Sequence, residues 1–120
     1  MSNRRIQNSR ILELNRVLKK AAKEYNAPVW NAVRKYLTKP RRRRVAVNIS
    51  KINRYTEEGD FVVVPGKVLS CGELSHEVTI AAFDFSAKAL EKINRSNCKA
   101  LSIEDLIKIN PKGSRVKIIV

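Results

Sequence analysis

The chain has 120 residues, enough for one compact domain, and 43% of them are hydrophobic, so it can bury a core. It carries 25 lysines and arginines against 11 acidic residues, a formal net charge of +14. No apolar run approaches the roughly 20 residues of a membrane-spanning helix, and we expect no secretory signal because the N-terminal residues lack an apolar region. Cys71 and Cys98 fit neither a disulfide framework nor a CxxC motif. We therefore expect a soluble intracellular protein with free thiols.

The positive charge is concentrated in the first part of the sequence. Residues 1–54 contain 16 basic and 2 acidic side chains, whereas residues 55–120 contain 9 of each. Such a concentration of like charge repels itself unless an anionic partner offsets it. Nucleic acid is the commonest polyanionic partner, so the charge favours a nucleic-acid-binding protein, the alternative being a surface that serves solubility.

A basic amphipathic helix is predicted from Ser9 to Tyr25, with Ser9 as a candidate N-cap. Its basic residues share one face at spacings i, i+3, i+4 and i+7. Like charges at these spacings repel each other, so this face favours contact with a phosphate backbone, the alternative being an ordinary solvated face. The basic face comprises Arg16, Lys19, Lys20 and Lys23, and the apolar face Ile11, Leu14, Leu18, Ala21 and Tyr25, with Val17 and Ala22 beside it.

A second helix is predicted to begin at Pro28 and to end at residues 38–40. Its core face contains Val29, Trp30, Val33 and Leu37. The Trp30 ring could stack on a nucleobase, but one aromatic at helical spacing among aliphatic residues is more often part of the core. Three further basic residues of this region extend the candidate nucleic-acid-binding surface: Arg34, Lys35 and Lys39.

An arginine run follows Pro40 and is predicted to be an extended, exposed loop. Each guanidinium can bind phosphate oxygens in a bidentate manner, which a lysine cannot do. The alternatives are a nuclear-localisation signal and a loose charged loop. Together with the basic helix before it, and with Lys51 and Arg54 after it, the run predicts contact with nucleic acid. The run comprises Arg41, Arg42, Arg43 and Arg44.

The rest of the chain is predicted to be a mixed α/β body, because strand and helix patterns alternate with short links. The five predicted strands are Val45–Ile49, Phe61–Val64, Val78–Phe85, Lys99–Leu101 and Arg115–Val120. We expect a turn at Pro65-Gly66, with Lys67–Leu69 on its far side. We also expect Ser50 to cap a helix over residues 51–56, Ser86 to cap a helix with core positions Ala89, Leu90 and Ile93, and Ser102 to cap the helix Ile103–Ile109.

The sequence offers little chemistry for an enzyme. His76 is the sole histidine, and no nucleophile motif surrounds it. His76, Cys71 and Cys98 have spacings unlike those of zinc sites. We expect the acidic turn Glu57–Asp60 to be a solvated loop or a salt-bridge partner of the basic half. We therefore predict no catalytic residue, no metal and no cofactor.

Several strings, taken together, resemble one family: the archaeal and eukaryotic ribosomal large-subunit protein eighteen, in the superfamily shared with bacterial ribosomal protein fifteen. The matching strings cover nearly the whole chain; they are Pro28–Trp30, Arg42–Arg44 leading into Val47–Ile52, Val64–Ser70, Gly72–Leu74, Val78–Phe83, and Phe85-Ser86 with Ala87, Ala89 and Ile93. The resemblance implies a fold of irregular β-β-α units and a structural role on large-subunit rRNA. It carries rRNA contact onto the four arginines of the run and Lys51, and more loosely onto Lys67.

The prediction is thus a single domain over residues 1–120: an irregular, repeat-like β-β-α layered α/β body at 45–120, preceded by a basic helical segment at 1–38 and an arginine-rich loop at 39–44. The expected function is that of a structural constituent of the large ribosomal subunit in the cytoplasm. Its expected partners are large-subunit rRNA and neighbouring ribosomal proteins, with no membrane and no small-molecule substrate. Because the long basic C-terminal extension of the eukaryotic members is lacking, an archaeal-type member is favoured. The alternative is a basic nucleic-acid-binding module outside the ribosome, such as a chromatin protein or an RNA chaperone.

Overall fold

The computed structural model describes residues 2–37 and 45–120, and it describes the side chains of the first helix from Ser9 onward. Helices and strands alternate after an N-terminal helical segment, which confirms the predicted layered α/β class. The helices are α1 (Ser2–Glu24), α2 (Pro28–Leu37), α3 (Ile49–Tyr55), α4 (Ala87–Arg95) and α5 (Ile103–Ile109); the strands are β1 (Val45–Asn48), β2 (Asp60–Leu69), β3 (Val78–Phe85), β4 (Lys99–Ser102) and β5 (Val116–Ile118).

Part of the predicted RNA-binding surface falls between α2 and β1, outside the described residues. The extended loop predicted there, and the phosphate contacts assigned to it, therefore stay predictions from the sequence. The predicted contact residues concerned are Lys39, Arg41, Arg42, Arg43 and Arg44.

The described strands form one five-stranded sheet in which every pairing is parallel. The order is β1-β2-β3-β4, and β5 also pairs with β2. Because β3 occupies one edge of β2, β1 and β5 share the other edge: β5 pairs with residues 61–63 and β1 with residues 66–69. The succession β2, β3, α4 gives the β-β-α order that the resemblance implied.

The helices cover both faces of the sheet, so the fold has three layers. Helices α1, α2 and α5 pack on the face that presents Val63 and Ala81. Helices α3 and α4 pack on the opposite face, which presents Val62, Val64 and Ile80. The connections β1–α3–β2 and β3–α4–β4 run across the sheet in one direction, whereas the connection β4–α5–β5 runs in the opposite direction. Because crossovers between parallel strands are right-handed, α3 and α4 lie on one face and α5 on the other.

The predicted turn at Pro65-Gly66 is wrong, because β2 continues through both residues. Pro65 lacks a backbone N–H, and it lies where the neighbour along this edge changes from β5 to β1. The register with β3 also shifts between Val64 and Lys67, as at a bulge. Gly66 permits the close approach of β1, since a Cβ there would lie 2.0 Å from the carbonyl oxygen of Val45.

Four other local predictions need correction. Helix α1 begins at Ser2 rather than after a cap at Ser9, and α3 begins at Ile49 after Asn48, so Ser50 lies inside the helix instead of capping it. Tyr25 and Leu90, predicted as core residues, are exposed, because Tyr25 lies just beyond the end of α1 and Leu90 lies at the margin of the packed face of α4. The last strand is shorter than predicted and spans Val116–Ile118.

The remaining helix boundaries agree with their sequence signals. The side chains of Ser86 and Ser102 accept hydrogen bonds from the backbone N–H groups of Ala89 and Asp105, as N-caps do. Helix α2 begins at Pro28 as predicted. Trp30 is fully buried and its Nε1 donates a hydrogen bond to the carbonyl oxygen of Pro111 at 2.8 Å, so the prediction that it is a core residue is confirmed.

Candidate nucleic-acid interface

The solvent side of α1 is a row of cations. Leu14, Leu18 and Ala21 turn the opposite side of this helix into the core that it shares with α2 and α5. Among the described side chains, those of residues 9–37 and 45–120, none forms an ion pair with the four basic residues, so their charge is open to a partner. Together they form what we call the α1 basic face: Arg16, Lys19, Lys20 and Lys23, all exposed. The 3.6-residue period of the helix explains the arrangement, because residues two or five positions beyond a buried leucine point away from the core.

The two predicted basic residues of α2 are placed differently. Arg34 is half-buried, and its guanidinium donates hydrogen bonds to the side-chain oxygens of Asn15, at 2.8 Å from Nε, and Asn31, at 2.9 Å from Nη1. It therefore joins α2 to α1, which gives it a structural role that the sequence did not reveal. Lys35 is exposed on the same helix.

The other residues that were predicted to contact RNA, and that the structure describes, lie on more than one side of the sheet. Lys51 and Arg54 are exposed on α3, which covers the face opposite α1 and α2. Lys67 is exposed in β2 beside Ala46 of β1. Because Val68 points toward α3 and α4, strand alternation turns Lys67 toward the side of α1 and α2. The structure thus brings the α1 basic face, Lys35 and Lys67 to one side, and places Lys51 and Arg54 on the other.

Arg10 was not assigned a role from the sequence, and in the structure its guanidinium contacts another residue of the chain. Its guanidinium lies 4.3 Å from the centroid of the Phe83 ring and donates a hydrogen bond to the Phe83 carbonyl oxygen at 2.9 Å. These contacts fasten α1 to the end of β3 that extends past β4. They also cover one face of an aromatic ring that would otherwise be open to solvent.

At the N-terminal end of β2, a buried carboxylate pairs with two cations. Asp60 lies 3.0 Å from Arg115 Nη2 and 2.8 Å from Lys117 Nζ, and it accepts a hydrogen bond from the backbone N–H of Glu57. The hydrogen bond from Lys117, followed by that from Glu57, lowers the pKa of Asp60 from 3.8 to about 2. The acidic turn therefore contributes a salt-bridge partner, but to Lys117 in the C-terminal strand and Arg115 just before it, and not to the basic half.

The residues considered for catalysis do not converge. His76 Nε2 lies 2.7 Å from Thr56 Oγ1, which in turn donates to the Ile52 carbonyl oxygen. Cys98 is buried, whereas Cys71 is exposed. Within the described ranges, no group of three or more His, Cys, Asp or Glu side chains could hold a metal ion.

Sequence reasoning missed Tyr55 and Lys117, which line one pocket together with Lys51. Tyr55 follows Lys51 by four residues and so shares its face of α3, a signal that the sequence contained. The position of Lys117 depends on the pairing of β5 with β2, which no local pattern specifies.

Among the described residues, no helix is long and apolar enough to cross a membrane. A basic α/β domain with an open row of cations on one helix has the charge distribution that is typical of the class of polyanion-binding proteins.

Comparison with known proteins identifies the family within this class. The model of the family "Ribosomal protein 60S L18 and 50S L18e" matches residues 2–120. The chain is 49% identical over 111 residues to large ribosomal subunit protein eL18 of Methanococcus maripaludis, a match that covers 92% of both chains. It is 43% identical over 116 residues to the eL18 protein of Archaeoglobus fulgidus, covering 97% of this chain and 99% of the other, and 42% identical over 113 residues to that of Pyrobaculum aerophilum, covering 94% and 93%. The chain therefore belongs to the eL18 family of ribosomal proteins, a family of structural proteins and not of enzymes.

Proposed function

We propose that this protein is a structural constituent of the large subunit of the cytoplasmic ribosome and acts in translation by binding large-subunit rRNA through lysine and arginine contacts to phosphate. The observation that carries the proposal is the α1 basic face: four exposed cations on one side of a helix, without an ion pair in the described part of the chain. The names of the relatives support the large ribosomal subunit as the particle to which this protein belongs, and the positive charge supports binding to rRNA phosphates. Neighbouring ribosomal proteins would complete its surroundings.

The mechanism is electrostatic. Each cation that neutralises a phosphate releases condensed counterions, so affinity falls as salt rises. Eight such contacts on duplex RNA correspond to a slope of about −7 in log affinity against log salt. Double-helical RNA hides most of its base edges from side chains, so shape and phosphate contacts should dominate over base reading.

The distribution of cations suggests that RNA contacts more than one side of the domain. The α1 basic face and Lys67 lie toward one side, and Lys51 and Arg54 toward the other. A rigid three-layer body with cations on both outer layers can hold two RNA segments at a fixed separation. The sequence alone adds the remaining proposed contacts, which are Lys39, Arg41, Arg42, Arg43 and Arg44.

The test compares two variants that lose the same charge. Lys19→Ala with Lys23→Ala removes half of the α1 basic face, and Arg95→Ala with Lys99→Ala removes two exposed cations outside the proposed contacts. Affinity for large-subunit rRNA is measured over a series of salt concentrations. We expect the first variant to bind more weakly, and its slope of log affinity against log salt to be less negative by about 2. The second variant should retain the wild-type slope. Equal slopes for both variants would contradict the assignment of α1.

A second measurement separates the ribosomal role from a free nucleic-acid-binding module. Extracts are sedimented through a density gradient before and after a high-salt wash, and duplex DNA is used as a competitor for rRNA. We expect the chain to remain with the large subunit and DNA to compete poorly. Loss from the subunit at modest salt, or equal displacement by DNA, would favour the module outside the ribosome.

A further inference from the structure

A pocket of about 420 Å³ opens between α3 and the segment that contains β5. Its volume lies in the range of about 300–1,000 Å³ that is usual for small-ligand sites. Lys51 and Tyr55 line it from one face of α3, and Lys117 lines it from β5. Apolar side chains of residues 118–120 form the rest of the wall.

Two lysines, Lys51 and Lys117, bring positive charge to the wall of the pocket. Asp60 is shared between Arg115 and Lys117, so two cations face one anion. Lys51 adds a further cation at the pocket, and its Nζ donates a hydrogen bond to an oxygen of Val120. Lys117 Nζ donates to Asp60 and to the Tyr55 carbonyl oxygen at 3.2 Å, and an ammonium group has a third proton to donate. Both ammonium groups are therefore held at the pocket with capacity for an anionic ligand.

Tyr55 supplies an open aromatic ring beside these cations. It is 55% exposed, compared with 39% for Tyr25. Trp30 is buried, and the ring of Phe83 is covered by Arg10. Tyr55 is thus the most exposed aromatic residue in the described part of the chain. An exposed ring next to cations is the combination with which proteins bind unstacked bases of single-stranded RNA.

We propose that this pocket binds one unstacked nucleotide of single-stranded RNA, with its base against the Tyr55 ring and its phosphate at the ammonium groups of Lys51 and Lys117. The inference rests on the proposed function, because it takes RNA as the partner. It adds a contact of a different kind: the α1 basic face neutralises phosphates, whereas this pocket recognises a base that has left its stack. The partner would therefore present a bulged or looped nucleotide to α3.

The first test titrates the isotope-labelled full chain with AMP, UMP and ribose 5-phosphate, and follows the backbone amide signals by NMR. We expect both nucleotides to bind more tightly than ribose 5-phosphate, with the largest shifts at residues 51–55 and 117–120. Tyr55→Ala should remove this preference, a loss of about 5- to 150-fold in affinity, and Tyr55→Phe should retain it because the ring remains. Tyr25→Ala is the matched control and should behave as the wild type. Equal binding of all three ligands, shifts centred elsewhere, or no detectable binding would overturn the proposal.

The second test separates this proposal from the function on which it rests. Wild-type and Tyr55→Ala chains are compared for affinity to large-subunit rRNA over a range of salt. We expect a weaker affinity for the variant with an unchanged salt slope, because no phosphate contact is lost. Equal affinities would overturn the pocket while leaving the rRNA-binding role intact. Failure of the wild type to bind rRNA would overturn the proposed function itself.

Discussion

The Asp60 cluster leads to a prediction about acid stability. Asp60→Asn removes the negative charge that Arg115 and Lys117 share, with almost no change in side-chain size. We expect this variant to be less stable than the wild type at neutral pH. The reason is that Lys117 in β5 and Arg115 just before it remain without the carboxylate that attracts them to β2.

The expected magnitude follows from the pKa of Asp60. A fall from 3.8 to about 2, at about 1.4 kcal/mol per pH unit, corresponds to ~2.5 kcal/mol. The carboxylate lies near the molecular surface under cations that are themselves 61% and 45% exposed, and water screens such pairs. We therefore expect about 1–2 kcal/mol.

The pH dependence has a definite sign. A carboxylate whose pKa is lowered by folding stabilises the native state above the unfolded pKa, and this contribution is lost as the pH falls through the folded pKa. For Asp60 the window lies between 3.8 and about 2. The difference in unfolding free energy between wild type and Asp60→Asn should thus be full at pH 7 and should shrink as the pH approaches 2.

Urea denaturation at a series of pH values measures this difference. Glu73→Gln is the matched control: Glu73 pairs with Lys92 at 3.4 Å but is 76% exposed, so its loss should cost less than about 0.5 kcal/mol. If Asp60→Asn were as stable as the wild type at pH 7, or if the difference persisted unchanged at pH 2, the reasoning would be refuted.

Two further predictions concern packing, and both are checked by urea denaturation. Ile80→Ala should cost about 2–5 kcal/mol through cavity formation, because Ile80 is fully buried, and Phe83→Ala should cost less because Phe83 is half-buried; the reverse order would contradict the burial of these two side chains. Gly66→Ala should cost about 3 kcal/mol, since its Cβ would meet the carbonyl oxygen of Val45 and force β1 from β2. A loss below about 0.5 kcal/mol would show that β1 can shift without penalty.

Features that depend on neighbouring residues could be predicted from the sequence. Ser86 and Ser102 cap their helices because the hydroxyl needs only an N–H three residues onward. The exposure of the α1 basic face follows from helical periodicity in the same way. Pro65-Gly66 misled the prediction because local turn chemistry favours a reversal, whereas two strands meeting on one edge of β2 hold the chain extended.

Features that depend on strand register could not be predicted. Asp60 and Lys117 are distant in sequence and meet only because residues 61–63 pair with residues 116–118. The pocket at Tyr55 depends on the same pairing. Arg34 was predicted to bind RNA from its charge alone, but its contact with Asn15 depends on how α2 packs against α1.

The position of β5 also bears on how the chain is made. It is the last of the five described strands to be synthesised, yet it pairs with β2 in the interior of the sheet. Until it emerges, residues 61–63 present an unpaired edge rich in β-branched side chains, and Asp60 lacks both of its cations. Unpaired edges of this kind recruit other chains and promote aggregation. The nascent chain therefore stays open to such pairing until residues 116–118 have been synthesised and have paired with β2.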